Sequence, residues 1–255
     1  MVEDHKSSEV ISLIKLQKNR EKSSQPEIPK FLCPKGENKE VLLIYPGKFS
    51  KTIKSEIPLQ LLILAAILQH HGFRSKILDM RVEDYKNIDL NQTLCIGISS
   101  MTGMMISKGL DFAKYARSQN PSIPLIWGGV HPSLLPEETV SDPLVDIVVR
   151  GEGELTLLEI VYNLTIGHPI DNIQGITYKK RNQIINNPSR DFFDLDSIPI
   201  ELPYDLIDIN LYDVSSFPLH TGRGCPHRCA FCYNLSYHAM SYRYKSPKRI
   251  LQTRN

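Results

Sequence analysis

The stretch Leu94-Cys95-Ile96-Gly97-Ile98-Ser99-Ser100-Met101-Thr102-Gly103 decides the fold. Leu94–Ile98 has the length and apolar content of a buried strand, and Ser99–Gly103 is a loop of small and polar residues. Ile106–Ser118 follows with helical spacing, its Leu110, Phe112 and Ala113 on the inner side. The same strand–loop–helix unit recurs on both sides. Upstream lie a strand at Val41–Tyr45, the loop signal Pro46-Gly47, an apolar helix at Leu59–His71 stopped by Gly72, and a strand at Ser75–Leu78. Downstream come strands at Leu125–Trp127 and Asp146–Val149 and a helix at Leu155–Leu164. Alternation at this spacing predicts an α/β fold, a doubly wound parallel sheet covered on both faces, with ligands at the carboxyl ends of its strands. Gly175–Tyr178 and Gln183–Asn186 read as a hairpin closing a domain that spans residues 41–190.

The flanks differ in texture. Residues 1–40 form a polar extension in which Val10, Ile11, Ile14 and Leu16 allow a helical turn or two, and the remainder reads as a mobile tail. Residues 191–214, rich in Asp, Leu and Pro, read as a linker, and Phe217–Thr221 as the first strand of a new unit over 215–255. With 30 Lys+Arg against 28 Asp+Glu, the excess charge is too small to point to nucleic acid. The polar Met1–Glu40 offers no apolar core for a signal peptide. The most apolar run, Ile57–Leu68, holds Pro58 and Gln60 and falls short of the roughly 20 residues a membrane span needs. A cytoplasmic location is the expectation. Of five cysteines, Cys33 and Cys95 stand alone and three crowd into eight residues, a pattern of metal binding rather than of a disulfide framework.

That crowded stretch is His220-Thr221-Gly222-Arg223-Gly224-Cys225-Pro226-His227-Arg228-Cys229-Ala230-Phe231-Cys232-Tyr233-Asn234. Thiolates at C-x3-C-x2-C spacing can hold three irons of a cubane and leave the fourth open to a chelating substrate. Gly222 and Gly224 would let the backbone approach the cluster, and Arg223 and Arg228 would offset its negative charge and raise its potential. A structural zinc site is the competing assignment. It wants four ligands, and the one nearby candidate, His227, is poorly placed to close a tetrahedron.

The stretch resembles the cluster loop of the radical S-adenosylmethionine (SAM) superfamily. The resemblance implies that Cys225, Cys229 and Cys232 ligate a [4Fe–4S] cluster and that Phe231 lies beside the adenine of SAM. It also implies reductive cleavage of SAM to a 5′-deoxyadenosyl radical, a partial (β/α) barrel around the loop, and an electron donor such as flavodoxin or ferredoxin. The substrate, a small molecule, is not specified.

Three loops at strand ends would line one edge of the sheet: Ser99–Gly103, Gly128-Gly129-Val130-His131-Pro132 and Gly151-Glu152-Gly153-Glu154. Paired glycines there would let a flat ligand lie against the backbone. With Pro58-Leu59-Gln60-Leu61-Leu62 and Leu135-Pro136-Glu137-Glu138-Thr139, these motifs resemble the cobalamin-binding domain that precedes the cluster in many radical SAM proteins. The subgroup they are most similar to is that of the anaerobic magnesium-protoporphyrin ester cyclases. The resemblance implies cobalamin contacts from Ser99, Ser100, Thr102, Gly128 and Gly129, with Gly151 and Glu152 as further candidates. Pro46-Gly47-Lys48-Phe49-Ser50 lacks the cobalt-ligating His of other cobalamin domains, and His131 is the available substitute, though a His beside Pro more often has a structural role. Glu152 and Glu154 could be a catalytic acid pair, but their place at a helix start favours dipole capping. A barrel needs about six βα units, so 215–255, ending in a helix at Pro247–Gln252, is expected to be only its first unit. A truncated cobalamin-binding module without catalysis is the alternative reading.

Overall fold

The computed structural model describes residues 31–49, 55–86, 88–215 and 218–252. Val10, Ile11, Ile14, Leu16, Ser50 and Phe217 lie outside them. The first strands and helices are β1 (Glu40–Tyr45), α1 (Leu59–His70), β2 (Arg74–Asp79), β3 (Thr93–Ser99), α2 (Met104–Gln119) and β4 (Leu125–Gly128). Then follow α3 (Val130–Leu134), α4 (Pro136–Ser141), β5 (Ile147–Val149), α5 (Gly153–Ile166) and the hairpin β6 (Ile176–Lys180) and β7 (Gln183–Asn186). Seven strands form one sheet in the order β2-β1-β3-β4-β5-β6-β7. The first five are parallel, and β6 and β7 add on antiparallel. The doubly wound expectation holds, with every expected strand and helix of the domain found within two residues of its place.

The alternation of β1 shows why the sheet is covered on both sides. Val41 and Leu43 enter a core with α1 and α5, while Leu42 and Ile44 enter the opposite core with Phe112, Ala113 and Ala116 of α2. Successive side chains of a strand point to opposite faces, so a strand apolar at every position must be buried twice. Gly72 ends α1 as expected, at φ +83°. Because the chain steps from β1 outward to β2 and then back past β1 to β3, the order reverses between β1 and β3. A crevice opens there at the carboxyl ends of the strands.

The segment expected to be a linker is instead packed. Phe193, Leu195, Ile198 and Tyr212 are buried against the α1–α5 side, between three single 3₁₀ turns at Leu195–Ser197, Tyr204–Leu206 and Ile209–Leu211. Tyr212 donates its hydroxyl to Asp79 Oδ2 at 3.2 Å, and Asp213 N donates to Ser55 O at 3.0 Å. The buried Asp79 also receives Arg81, whose guanidinium lies 4.0 Å from the Tyr45 ring centre. Tyr212→Phe should therefore cost about 1 kcal/mol by losing one hydrogen bond, and Tyr212→Ala about 3 kcal/mol or more by opening a cavity. Urea denaturation measures both, and a neutral Tyr212→Ala would make the segment a loose tether after all. The extension is docked at its described end too. The Phe31 ring lies 5.0 Å from Tyr162, and Cys33 N donates to His71 O at 2.9 Å.

Beyond the strap come β8 (Gly222–Gly224), α6 (Asn234–Tyr237), β9 (Tyr242–Tyr244) and α7 (Pro247–Gln252). The strand expected at Phe217–Thr221 forms a few residues later, as β8, and its partner is the antiparallel β9. The glycines of β8 serve that pairing. A Cβ at Gly222 would lie 2.8 Å from Arg243 O, and one at Gly224, at φ +87°, would collide with Ser241 O. No helix of the described residues is long and apolar enough to cross a membrane.

Candidate functional site

At the crevice lies a cavity of about 400 Å³. Its floor is set by Gly97 of β3. On the α1–α5 face Gly97 leaves the slot beside Leu43 without a side chain, and a Cβ there would meet Leu43 Cδ2 at 3.1 Å. The walls above are apolar, from Leu61, Leu64, Ile126 and Leu157, while Gln60, Ser99 and Ser100 bring polar groups. A slot of this size, apolar with a few polar groups, suits a flat ring carrying a polar tail.

Six of the candidates read from the sequence line this cavity: Ser99, Ser100, Gly128, Gly129, Gly151 and Glu152. Two do not. Thr102 and His131 face each other, with Thr102 Oγ1 3.3 Å from His131 Nδ1, and neither belongs to the cavity wall. His131 is further tied by its backbone N–H, which donates to Ser100 O at 3.2 Å. The two glycines also part company. Gly129 sits at φ +99° and ψ −168°, and a Cβ there would be 2.7 Å from Ser100 O. Its smallness therefore serves the packing of one loop on the next. Gly128 has nothing closer than 3.8 Å to such a Cβ, so its open side is the cavity.

The far wall of the cavity comes from the cysteine-bearing segment, through His220, Arg223, Tyr233, Tyr237 and His238. Motif reading missed the last three, because a Tyr or His in a short irregular segment has no periodicity to mark it. Tyr237 donates to Gly151 O at 2.9 Å. The main link is ionic. Arg223 pairs with Glu154 and, at 3.3 Å, with Glu152, and Arg243 pairs with Glu152. All four side chains are at most 15% exposed. Glu152 occupies the N-cap position of α5 without making a capping hydrogen bond and Glu154 stands in its first turn, the place the dipole role calls for, and both carboxylates are ion-paired as well. Burial pushes the Glu154 carboxyl up, but Arg223 outweighs it and holds the group below the usual carboxylate range. Arg223 in turn is raised despite its burial, by Glu154 and Glu152. Its charge is thus matched by the two carboxylates.

His220 and His238 complete this wall. Burial, with Arg223 and other nearby cations, lowers each to about 4. A histidine held below its unfolded value stabilises fully above about 6.5, and that stability is lost as pH falls toward 4, where the released chain binds the proton first. Resistance to urea should accordingly decline between pH 6.5 and 4, and His238→Gln should flatten the decline. An unchanged slope in that variant would show the imidazole to be solvated.

Cys225 and Cys232 are half-buried and Cys229 is exposed, on a loop tied by Cys232 N donating to Cys229 O at 3.0 Å. Among the described residues no three His, Cys, Asp or Glu side chains are gathered as a metal centre requires. The donor set itself, three thiols on one short loop with His227 exposed beside them, suits a cluster with three protein ligands. Phe231 is 94% exposed.

Comparison with known proteins places these features in a class. Residues 53–161 match the B12 binding domain family. An uncharacterized methyltransferase of Pyrococcus horikoshii is 32% identical over 84% of the chain and 49% of its own length. The anaerobic magnesium-protoporphyrin IX monomethyl ester cyclase of Synechocystis is 28% identical over 54% of the chain and 28% of its own length. Among solved structures, the cobalamin-dependent SAM radical enzyme OxsB, with aqua-cobalamin and SAM bound, superposes with a TM-score of 0.68 at 21% identity, covering 85% of this chain and 31% of that one. The radical SAM methyltransferase TsrM of Kitasatospora setae, with cobalamin and a [4Fe–4S] cluster bound, gives 0.66 at 17%, covering 85% and 45%. The fold of the sheet is thus that of a B12 binding domain. The resemblance stated on the motifs holds: this chain is a relative of the cobalamin-binding radical SAM proteins, the magnesium-protoporphyrin ester cyclases among them. It spans about half or less of the length of these relatives.

Proposed function

We propose that this chain binds cobalamin in the crevice of its sheet and a [4Fe–4S] cluster on Cys225, Cys229 and Cys232, as part of a radical SAM enzyme that alters an unactivated carbon by methylation, cyclisation or rearrangement. The single observation that carries this reading is the shared cavity, whose one wall is the B12-binding sheet and whose other wall is the cysteine-bearing segment. The slot over Gly97 receives the nucleotide tail, with Ser99, Ser100 and Gly128 contacting it and the leucines of α1 excluding water. Three thiolates leave one iron for SAM. When bound, these groups supply an electron for cleaving SAM and a carrier for a methyl group. The electron itself comes from a donor such as flavodoxin or ferredoxin.

Anaerobic reconstitution tests the reading. Iron and sulfide should approach ~4 each per chain, and one hydroxocobalamin should be retained on dialysis. A single zinc with no iron would refute it. Gly97→Leu should fill the slot and weaken cobalamin roughly 10-fold or more, with iron content unchanged.

A further inference from the structure

The pairing of β8 with β9 sets a problem that the ion pairs solve. In register, Arg223 stands directly opposite Arg243. Residues opposite each other in an antiparallel pair project from the same face, and like charges so placed repel. This two-stranded ladder is three pairs long, and its central pair is two guanidiniums. Each is only 11–15% exposed at the side chain, so water screens little of the repulsion. The charges that relieve it come from elsewhere. They are Glu152 and Glu154, 69 to 91 residues away in the chain, on the loop after β5 and the first turn of α5. Those carboxylates are equally ill-suited to stand alone, lying two positions apart and 6–7% exposed. Two acids and two bases, each pair unfavourable by itself, neutralise one another. Tyr242 and Tyr244, the neighbours of Arg243 on β9, are exposed, so on β9 only Arg243 is turned inward.

Position gives this arrangement a consequence. Arg223 is two residues before Cys225, and Glu152, Glu154 and Arg223 all line the cavity. We propose that Glu152 and Glu154 are positioning residues that dock the cysteine-bearing segment against the cobalamin crevice. Resting on the function proposed above, the inference adds that filling the cavity and ordering the segment favour each other. A ligand touching both walls binds the docked state in preference to the undocked one, and such coupling is reciprocal.

Hydrogen exchange on the full chain, read by mass spectrometry with and without hydroxocobalamin, provides the test. In the unaltered chain, residues 220–245 should be protected, and the cofactor should deepen that protection. Glu154→Gln keeps the shape and removes the charge. It should strip protection from 220–245 while leaving the strand 93–99 protected, and should weaken hydroxocobalamin roughly 10-fold or more. The exchanged pair Glu154→Arg with Arg223→Glu should recover part of both losses, which a merely misfolded variant could not. Retained protection of 220–245 in Glu154→Gln would overturn the positioning role, and equal hydroxocobalamin affinity in the two chains would overturn the coupling. Failure of the unaltered chain to bind hydroxocobalamin would instead strike at the proposed function and the coupling, while the cofactor-free exchange would still decide the docking.

Discussion

Gly129→Ala will destabilise the sheet domain by about 3 kcal/mol or more. Gly129 holds φ +99° with ψ −168°, a region of backbone space essentially reserved for glycine, and occupying it with any other residue costs about 1–3 kcal/mol. The new methyl would also stand 2.7 Å from Ser100 O and 3.0 Å from Ser100 N. These are backbone atoms, and the backbone there is held from both sides. Ser100 N donates to Gly128 O, and Ser100 O accepts from His131 N. Neither atom can withdraw without breaking the bonds that join the β3 and β4 loops, so the overlap adds to the strain. Gly128→Ala is the matched control. Its methyl meets nothing nearer than 3.8 Å, and its cost should stay below about 1 kcal/mol. Urea denaturation of the two variants side by side reads the difference. Equal costs would mean that the loops are free to separate.

Each of Cys225→Ala, Cys229→Ala and Cys232→Ala will reduce reconstituted iron to roughly a tenth or less, while Cys95→Ala keeps it. The contrast rests on where the thiols lie. The three loop cysteines reach solvent together on one short loop. Cys95 is 0% exposed in the core beneath the sheet, where burial pushes its thiol up to about 12, so it yields no thiolate at neutral pH. Iron and sulfide analysis after anaerobic reconstitution, with the absorbance near ~400 nm, gives the answer. Full iron in any one of the three variants would remove that cysteine from the ligand set.

The sheet was legible because its rules are local. Short apolar runs and helical apolar patterns, with Gly72 as a stop, mark the five strands and the three long helices from Val41 to Leu164 without reference to distant residues, while the short α3 and α4 carry no such pattern. What escaped depends on partners far along the chain. Phe193, Leu195, Ile198 and Tyr212 are spaced irregularly among Asp and Pro, so no period announces a packed strap. Its turns are set by Asp194 and Asp208 accepting from the N–H groups two residues on. Glu152 and Glu154 fit a capping pattern in their own neighbourhood, and only Arg223 and Arg243 show that they also form ion pairs. The three cysteines were legible as a spacing; the cavity beside them was not, since its far wall is completed by Tyr233, Tyr237 and His238.

The opposed arginines of β8 and β9 also tie the ribbon to a part of the chain made earlier. With two cations at its middle, this ribbon is disfavoured on its own, and the two anions on the turn between β5 and α5 relieve the repulsion. During synthesis the earlier part of a chain emerges and folds first. The anions thus belong to the part of the chain made before the ribbon, and the thiols lie just beyond Arg223 in the part made after.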